Sequence, residues 1–282
     1  MSKKMVIFTD LDGTLLDHHS YSWAPARPAL EALNRGRIPV ILCSSKTRAE
    51  IATLRDELQN QHPYIVENGA AVVIPYGYFE PAPDPEHPEK RSEQTVSFGT
   101  SRDRILAVLD YLKRQGFRFR SFAAMSAGEL AQVTGLSEAA AVRAQTRTAT
   151  EPLLWEADAD SLEVFKAVLA RYRLQLLEGG RFFHVMGFFD KADAMEYLLE
   201  RYRIFYQNQD VVSVALGDSP NDTRMLEHAD IPVVIANAVG GSLQLPNRGN
   251  AVYSDKKGPE GWNASILQIL KESFPQAAQS TE

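Results

Sequence analysis

The chain has 282 residues, 44 % of them apolar, enough to bury a core and, at about 150 residues per domain, to build one large or two modest domains. Thirty basic against thirty-six acidic residues leave a net charge of −6, so no chain-wide basic field exists to hold nucleic acid. The single cysteine, Cys43, excludes an intrachain disulfide framework and any cysteine-built zinc or iron–sulfur centre, and it fits a buried position in a reducing compartment.

The first apolar run, Met5 to Phe8, is only four residues long before Asp10, and no later stretch approaches the roughly 18 apolar residues of a membrane helix. A cytoplasmic protein without membrane contact is expected. The first quarter alternates apolar runs with amphipathic segments: strand Met5 to Thr9, helix Arg27 to Arg35, strand Ile38 to Cys43, helix Arg48 to Leu58, strand Tyr64 to Val66. Continuous apolar runs predict strands buried on both faces of a parallel sheet. After the Pro- and charge-rich segment 80 to 94, the texture changes. A strand at Thr95 to Phe98, a helix at Arg102 to Gln115, a strand at Phe117 to Phe122, short helices within 127 to 145, a strand at Glu151 to Trp155, a helix at Leu162 to Tyr172 and a hairpin of Leu174 to Leu177 with Arg181 to Val185 read as an inserted α+β unit. The α/β pattern then resumes with helix Ala192 to Tyr202, strand Val211 to Leu216, helix Asp222 to Ala229 and strand Ile231 to Ile235. The reading is a doubly wound core, residues 1–77 and 187–282, interrupted by an α+β domain over residues 78–186.

Two acidic segments leave strands of the same sheet. Asp10-Leu11-Asp12-Gly13-Thr14 follows the first strand, and Gly217-Asp218-Ser219-Pro220-Asn221-Asp222 follows the strand Val211 to Leu216. Ligands of open α/β sheets sit outside the carboxyl ends of the strands, so these carboxylates share one crevice. Oxygen ligands of this kind suit Mg²⁺, a hard cation that keeps several waters and bridges protein to phosphate. Two further signals stand at the same edge. Ser44 and Ser45 end the second strand and open a helix, where a hydroxyl and backbone N–H groups can hold an anion, and Lys191 begins the helix that re-enters the core.

In this order the four segments resemble the motifs of the haloacid dehalogenase-like hydrolases, with a large cap between the second and third. A closer likeness, to the branch containing mannosyl-3-phosphoglycerate phosphatases, rests on Ser44 to Glu50, Glu67-Asn68-Gly69-Ala70, Gly179 to His184 and Gly258-Pro259-Glu260-Gly261-Trp262. Ser44-Ser45-Lys46 stands where related sugar-phosphate phosphatases carry Thr-Gly-Arg. The resemblance implies a Rossmann-like core with a C2B-type cap and a Mg²⁺-dependent phosphomonoesterase acting through an aspartyl-phosphate. It implies that Asp10 is the nucleophile and Asp12 the acid and base. Asp10, Asp218 and the backbone carbonyl of Asp12 would hold the metal, Ser44 and Lys191 the transferring oxygens, and Asn221 and Asp222 would support them.

The substrate expected from the resemblance, a sugar ester of phosphoglycerate, carries a dianionic phosphate and a carboxylate. Ser45, Lys46, Arg48, Arg181 and His184 are the candidates to meet it, Arg181 because a guanidinium grips a carboxylate with two bonds. A broad sugar-phosphate phosphatase and a phosphomutase share the aspartyl-phosphate and stay open. A receiver-like phosphoacceptor module is disfavoured, because such a switch lacks the acid and base that Asp12 supplies. The oligomeric state is not legible.

Overall fold

The structure is a computed structural model that describes residues 3–79, 93–179, 182–207, 209–237 and 243–273. Its main layer is an eight-stranded sheet. In chain order the strands are β1 (Lys4–Thr9), β2 (Val40–Cys43), β3 (Tyr64–Val66), β4 (Ala71–Ile74), β5 (Gln94–Ser97), β10 (Val211–Gly217), β11 (Ile231–Ala236) and β12 (Val252–Lys257), and across the sheet they run β12-β11-β10-β1-β2-β3-β4-β5. From β12 to β3 the pairs are parallel, whereas β4 and β5 extend the edge as antiparallel strands.

Side chains alternate across a strand, so a strand buried on both faces has no polar face to show. In β1, Met5 and Ile7 enter a core with helices α1 (Arg27–Arg35), α2 (Arg48–Leu58) and α9 (Gly258–Ser273), while Val6 and Phe8 enter the opposite core with α7 (Lys191–Phe205) and α8 (Thr223–His228). The chain leaves central β1 toward β2 and β3 on one side, and its later part fills the other side from β10 outward. The strand order therefore reverses between β1 and β10, and their carboxyl ends diverge around a crevice.

A second sheet, β6-β7-β9-β8, is antiparallel throughout and made of β6 (Phe119–Ser121), β7 (Thr150–Trp155), β8 (Gln175–Glu178) and β9 (Phe183–Met186). Helices α3 (Arg102–Arg114) and α6 (Ala159–Arg171) cover one face with Ile105, Leu109, Phe165 and Leu169, and α4 (Ala127–Thr134) and α5 (Glu138–Gln145) form a satellite cluster with Phe122 and Met125.

One boundary differs from the sequence reading. A unit beginning at residue 78 would take the strand near Thr95 with it, yet β5 pairs with β4 and belongs to the main sheet. Its sequence Gln-Thr-Val-Ser is polar and mostly exposed, as an edge strand is, so it carried no mark of the apolar core. Likewise β12, Val-Tyr-Ser-Asp-Lys-Lys, is a mostly exposed strand at the opposite edge of the sheet.

Candidate active site

Asp10 and Asp218 stand at the two diverging strand ends. The Asp10 N–H donates to the Leu216 carbonyl at 2.9 Å, so the neighbouring strand fixes the backbone of the acid itself. Gly13 has φ +87°, and a Cβ there would lie 2.6 Å from Asp218 Oδ2. Only glycine makes this turn and leaves room for the second acid. Thr14 Oγ1 donates to Asp218 Oδ1 at 3.2 Å, and Asn237 Nδ2 to its Oδ2 at 2.9 Å.

Lys191 is fully buried, with Nζ 2.5 Å from Asp10 Oδ1 and 2.7 Å from Asp222 Oδ1. It opens α7, the end of a helix dipole that disfavours a cation. Asp190 offsets this by capping the helix, its side chain accepting from the N–H groups of Ala192 and Asp193, and the two carboxylates complete the compensation. Burial opposes the lysine's charge, but Asp10 and Asp222 outweigh it and raise its pKa far above the ordinary value. Asp222 Oδ2 accepts from the N–H groups of Asp218 and Ser219, both at 3.2 Å. With both oxygens engaged, Asp222 positions the loop and the lysine.

Asp10, Asp218 and Asp222 offer carboxylate oxygens within 4.8 Å of one another. Three buried acids share one lysine. Burial pushes the carboxyls of Asp10 and Asp218 upward, and the neighbouring acids add to it against the pull of Lys191. That excess of buried negative charge, with Asp218 Oδ2 facing the Gly13 turn, fits a divalent cation held by hard oxygen donors.

Asp12 lies across the crevice with Oδ2 2.7 Å from Lys46 Nζ, and its Oδ1 is buried without a hydrogen-bond partner among the described residues. Lys46 also sits over the Tyr21 ring, 5.2 Å from its centroid. Ser44 is buried beneath them, its Oγ accepting from the Lys46 N–H at 3.2 Å. Asn221 Nδ2 donates to Asn68 Oδ1 at 3.2 Å, tying the β10 loop to the turn after β3.

The crevice widens into a cleft of about 490 Å³ between the two sheets. Asp10, Asp12, Ser45, Lys46, Asp218 and Asn221 form its floor, and Phe122, Leu136, Arg147, Pro152, Phe182 and His184 its opposite wall. Arg48 is not on this lining. It points along α2 to Glu93, 2.6 Å away, where Arg55 pairs with the same acid. The structure therefore does not bring Arg48 together with the candidate substrate contacts Ser45, Lys46 and His184. His184 does line the cleft, but not as a cation: burial first, then the charges of Arg147 and Lys191, push its pKa down to about 3. Its Nδ1 is buried without a partner among the described residues, leaving a neutral hydrogen-bonding group. Arg181 lies outside the described residues. Sequence reading missed Arg147 and Asn237, neither of which belongs to an acidic or glycine-marked motif.

The sequence model of the haloacid dehalogenase-like hydrolases matches residues 7–81 and 155–243. The chain belongs to the haloacid dehalogenase-like hydrolases. It is 39 % identical over 268 residues to a glucosyl-3-phosphoglycerate/mannosyl-3-phosphoglycerate phosphatase of Methanococcoides burtonii, covering 95 % of this chain and 97 % of that one. A protein of the same description from Persephonella marina is 34 % identical over 273 residues, covering 95 % and 98 %. Among solved structures, a haloacid dehalogenase-like hydrolase from Bacteroides thetaiotaomicron superposes with a TM-score of 0.64 at 20 % identity over 94 % of this chain and 99 % of that one. A Thermoplasma acidophilum protein gives 0.64 at 18 % identity, over 96 % and 98 %. At such identities these two speak for the fold of a family member. No helix among the described residues is long and apolar enough to cross a membrane.

Proposed function

We propose that this family member is a Mg²⁺-dependent phosphomonoesterase that hydrolyses glucosyl- or mannosyl-3-phosphoglycerate in the cytoplasm, with the second sheet and its helices, residues 99–186, as a cap over the site. The observation that carries the reading is the buried constellation of Asp10, Lys191, Asp222 and Asp218 in a chain end-to-end similar to phosphatases of that description.

Asp10 is the nucleophile. Its carboxylate oxygen attacks phosphorus, the ester P–O bond breaks, and the phosphoryl group passes to Asp10 while the leaving alkoxide takes a proton from Asp12. Asp12 then removes a proton from water, which attacks the same phosphorus and frees Asp10 and inorganic phosphate. Asp12 lines the same cleft floor as Asp10, where a general acid and base for the leaving and attacking oxygens has to stand. Uncatalysed phosphate monoester hydrolysis needs up to about 10²¹-fold acceleration, and a covalent carboxyl phosphate divides it into two easier steps. Asp10, Asp218 and the main-chain carbonyl of Asp12 would hold a divalent cation, which would supply charge neutralisation there. Lys191 and Ser44 receive the transferring oxygens, Lys191 with its charge fixed by Asp222.

Lys46 and Ser45 meet the remainder of the substrate from the floor, and His184 from the cap as a neutral partner for a hydroxyl, with Arg181 kept from the sequence as the candidate for its carboxylate. The test is steady-state phosphate release across mannosyl-3-phosphoglycerate, glucosyl-3-phosphoglycerate and plain hexose phosphates, with and without EDTA. Faster turnover of the phosphoglycerate esters, abolished by EDTA, supports the reading. Faster turnover of hexose phosphates makes the protein a general sugar-phosphate phosphatase.

A further inference from the structure

Glu67 takes no part in the chemistry described, yet it is almost fully buried in the turn after β3. Its carboxylate collects five hydrogen bonds, all from the segment leading into cap strand β7. Oε1 accepts from the Thr148 N–H at 2.8 Å and its hydroxyl at 2.9 Å, and Oε2 from the N–H groups of Ala149 at 3.2 Å and Thr150 at 3.0 Å and the Thr150 hydroxyl at 2.7 Å. Arg147 Nε lies 3.7 Å away, and Arg147 Nη2 reaches back to the carbonyl of Ser45 at 2.5 Å. A second tie runs from the Thr47 hydroxyl to the Arg143 carbonyl at 2.9 Å.

The same turn touches the catalytic floor. Glu67, Asn68 and Gly69 have φ of 49°, 59° and 95°, three successive left-handed residues, an arrangement that persists only where the surroundings hold it. Asn68 accepts from Asn221, and a Cβ on Gly69 would lie 1.9 Å from the Asp190 carbonyl, one residue before Lys191.

We propose that Glu67 is a positioning residue that locks the cap over the cleft, setting the wall that carries Arg147, Phe182 and His184 at a fixed distance from the floor that carries Asp10 and Lys191. Its substrate consequence rests on the function proposed above. Only a substrate that spans floor and wall needs that distance, whereas a compact phosphate ester is served by the floor alone. Burial raises the energy of the Glu67 charge, but Arg147 and the five donors outweigh it and hold the carboxyl below its usual range, so the lock is ionised in neutral solution.

Glu67→Gln tests this, because either orientation of the amide turns an NH₂ toward at least one of the three backbone N–H groups. The specificity constant for mannosyl-3-phosphoglycerate should fall by about 10-fold or more, chiefly through KM, while that for acetyl phosphate stays within about threefold. In parallel, hydrogen exchange at the amides of Thr148, Ala149 and Thr150 should accelerate by at least about 10-fold with β1 and β10 unchanged, a local opening that general destabilisation would not give. Thr148→Val, which deletes one hydroxyl donor and leaves Thr150 Oγ1 to accept from Arg147 Nε at 2.9 Å, should give the same pattern more weakly and serves if Glu67→Gln does not fold. Equal losses on both substrates, or unchanged exchange at residues 148–150, would overturn the proposal. If the unmodified enzyme ignores phosphoglycerate esters, the functional reading fails and the exchange experiment, which needs no substrate, still decides the lock.

Discussion

Trp262 donates its indole N–H to Thr9 Oγ1 at 2.9 Å, and that hydroxyl in turn donates to the carbonyl of Asp10 at 2.7 Å. Helix α9 thereby braces the backbone of Asp10 through Thr9. Trp262 is completely buried, so Trp262→Phe removes the donor and leaves a small void. A loss of about 1–3 kcal/mol in urea unfolding is expected, with turnover reduced and metal requirement unchanged.

Lys191 balances two buried acids at once. Lys191→Met keeps most of the volume and abandons both charges, which should cost about 3–5 kcal/mol of stability and reduce phosphate release below detection. Lys191→Arg should fold better but remain poorly active, since a planar guanidinium cannot sit at a point shared by Asp10 and Asp222. Chemical denaturation and steady-state assays on the two variants separate these effects.

Lys46 and Arg48 are two residues apart yet face different partners, Asp12 in the cleft and Glu93 outside it. Lys46→Ala should raise KM for an anionic substrate about 10- to 100-fold, whereas Arg48→Ala should change it less than about twofold. Sequence alone could not separate them. Both basic side chains follow the second strand, and the difference arises from the start of α2, where Thr47 caps the helix and Arg48 is its first residue.

More of the floor than of the wall was legible in the sequence. Asp10, Asp12 and Asp218 are marked by apolar strands that end in acids and glycine, a local pattern that survives without knowledge of the fold. The wall is assembled from the loop before β7, from β9 and from the α4–α5 cluster, whose residues meet only through tertiary packing. Glu67 appeared merely as part of a recognisable tetrapeptide, because its partners lie more than eighty positions away in the chain. The neutrality of His184 is likewise a product of burial, which residue type cannot reveal.

His62 supplies a pH dependence remote from the site. It is mostly buried, its Nδ1 lies 2.7 Å from the Tyr78 hydroxyl, and burial followed by the charge of Arg55 pushes its pKa from 6.5 down to about 4. The unfolded chain therefore binds this proton more readily than the native protein between those values. Its contribution to stability is complete above pH 6.5 and is lost as pH falls toward 4. His62→Gln, measured by denaturation at several pH values, should flatten the slope in that window without altering the metal requirement.

The identity of the phosphoryl acceptor decides the mechanism. Enzyme quenched in acid during turnover of mannosyl-3-phosphoglycerate and digested for mass spectrometry should carry one phosphoryl group on the peptide containing Asp10, and Asp10→Asn should carry none and release no phosphate. A phosphoryl group on any other residue, or phosphate release that survives in Asp10→Asn, would contradict the assignment of Asp10 as the nucleophile.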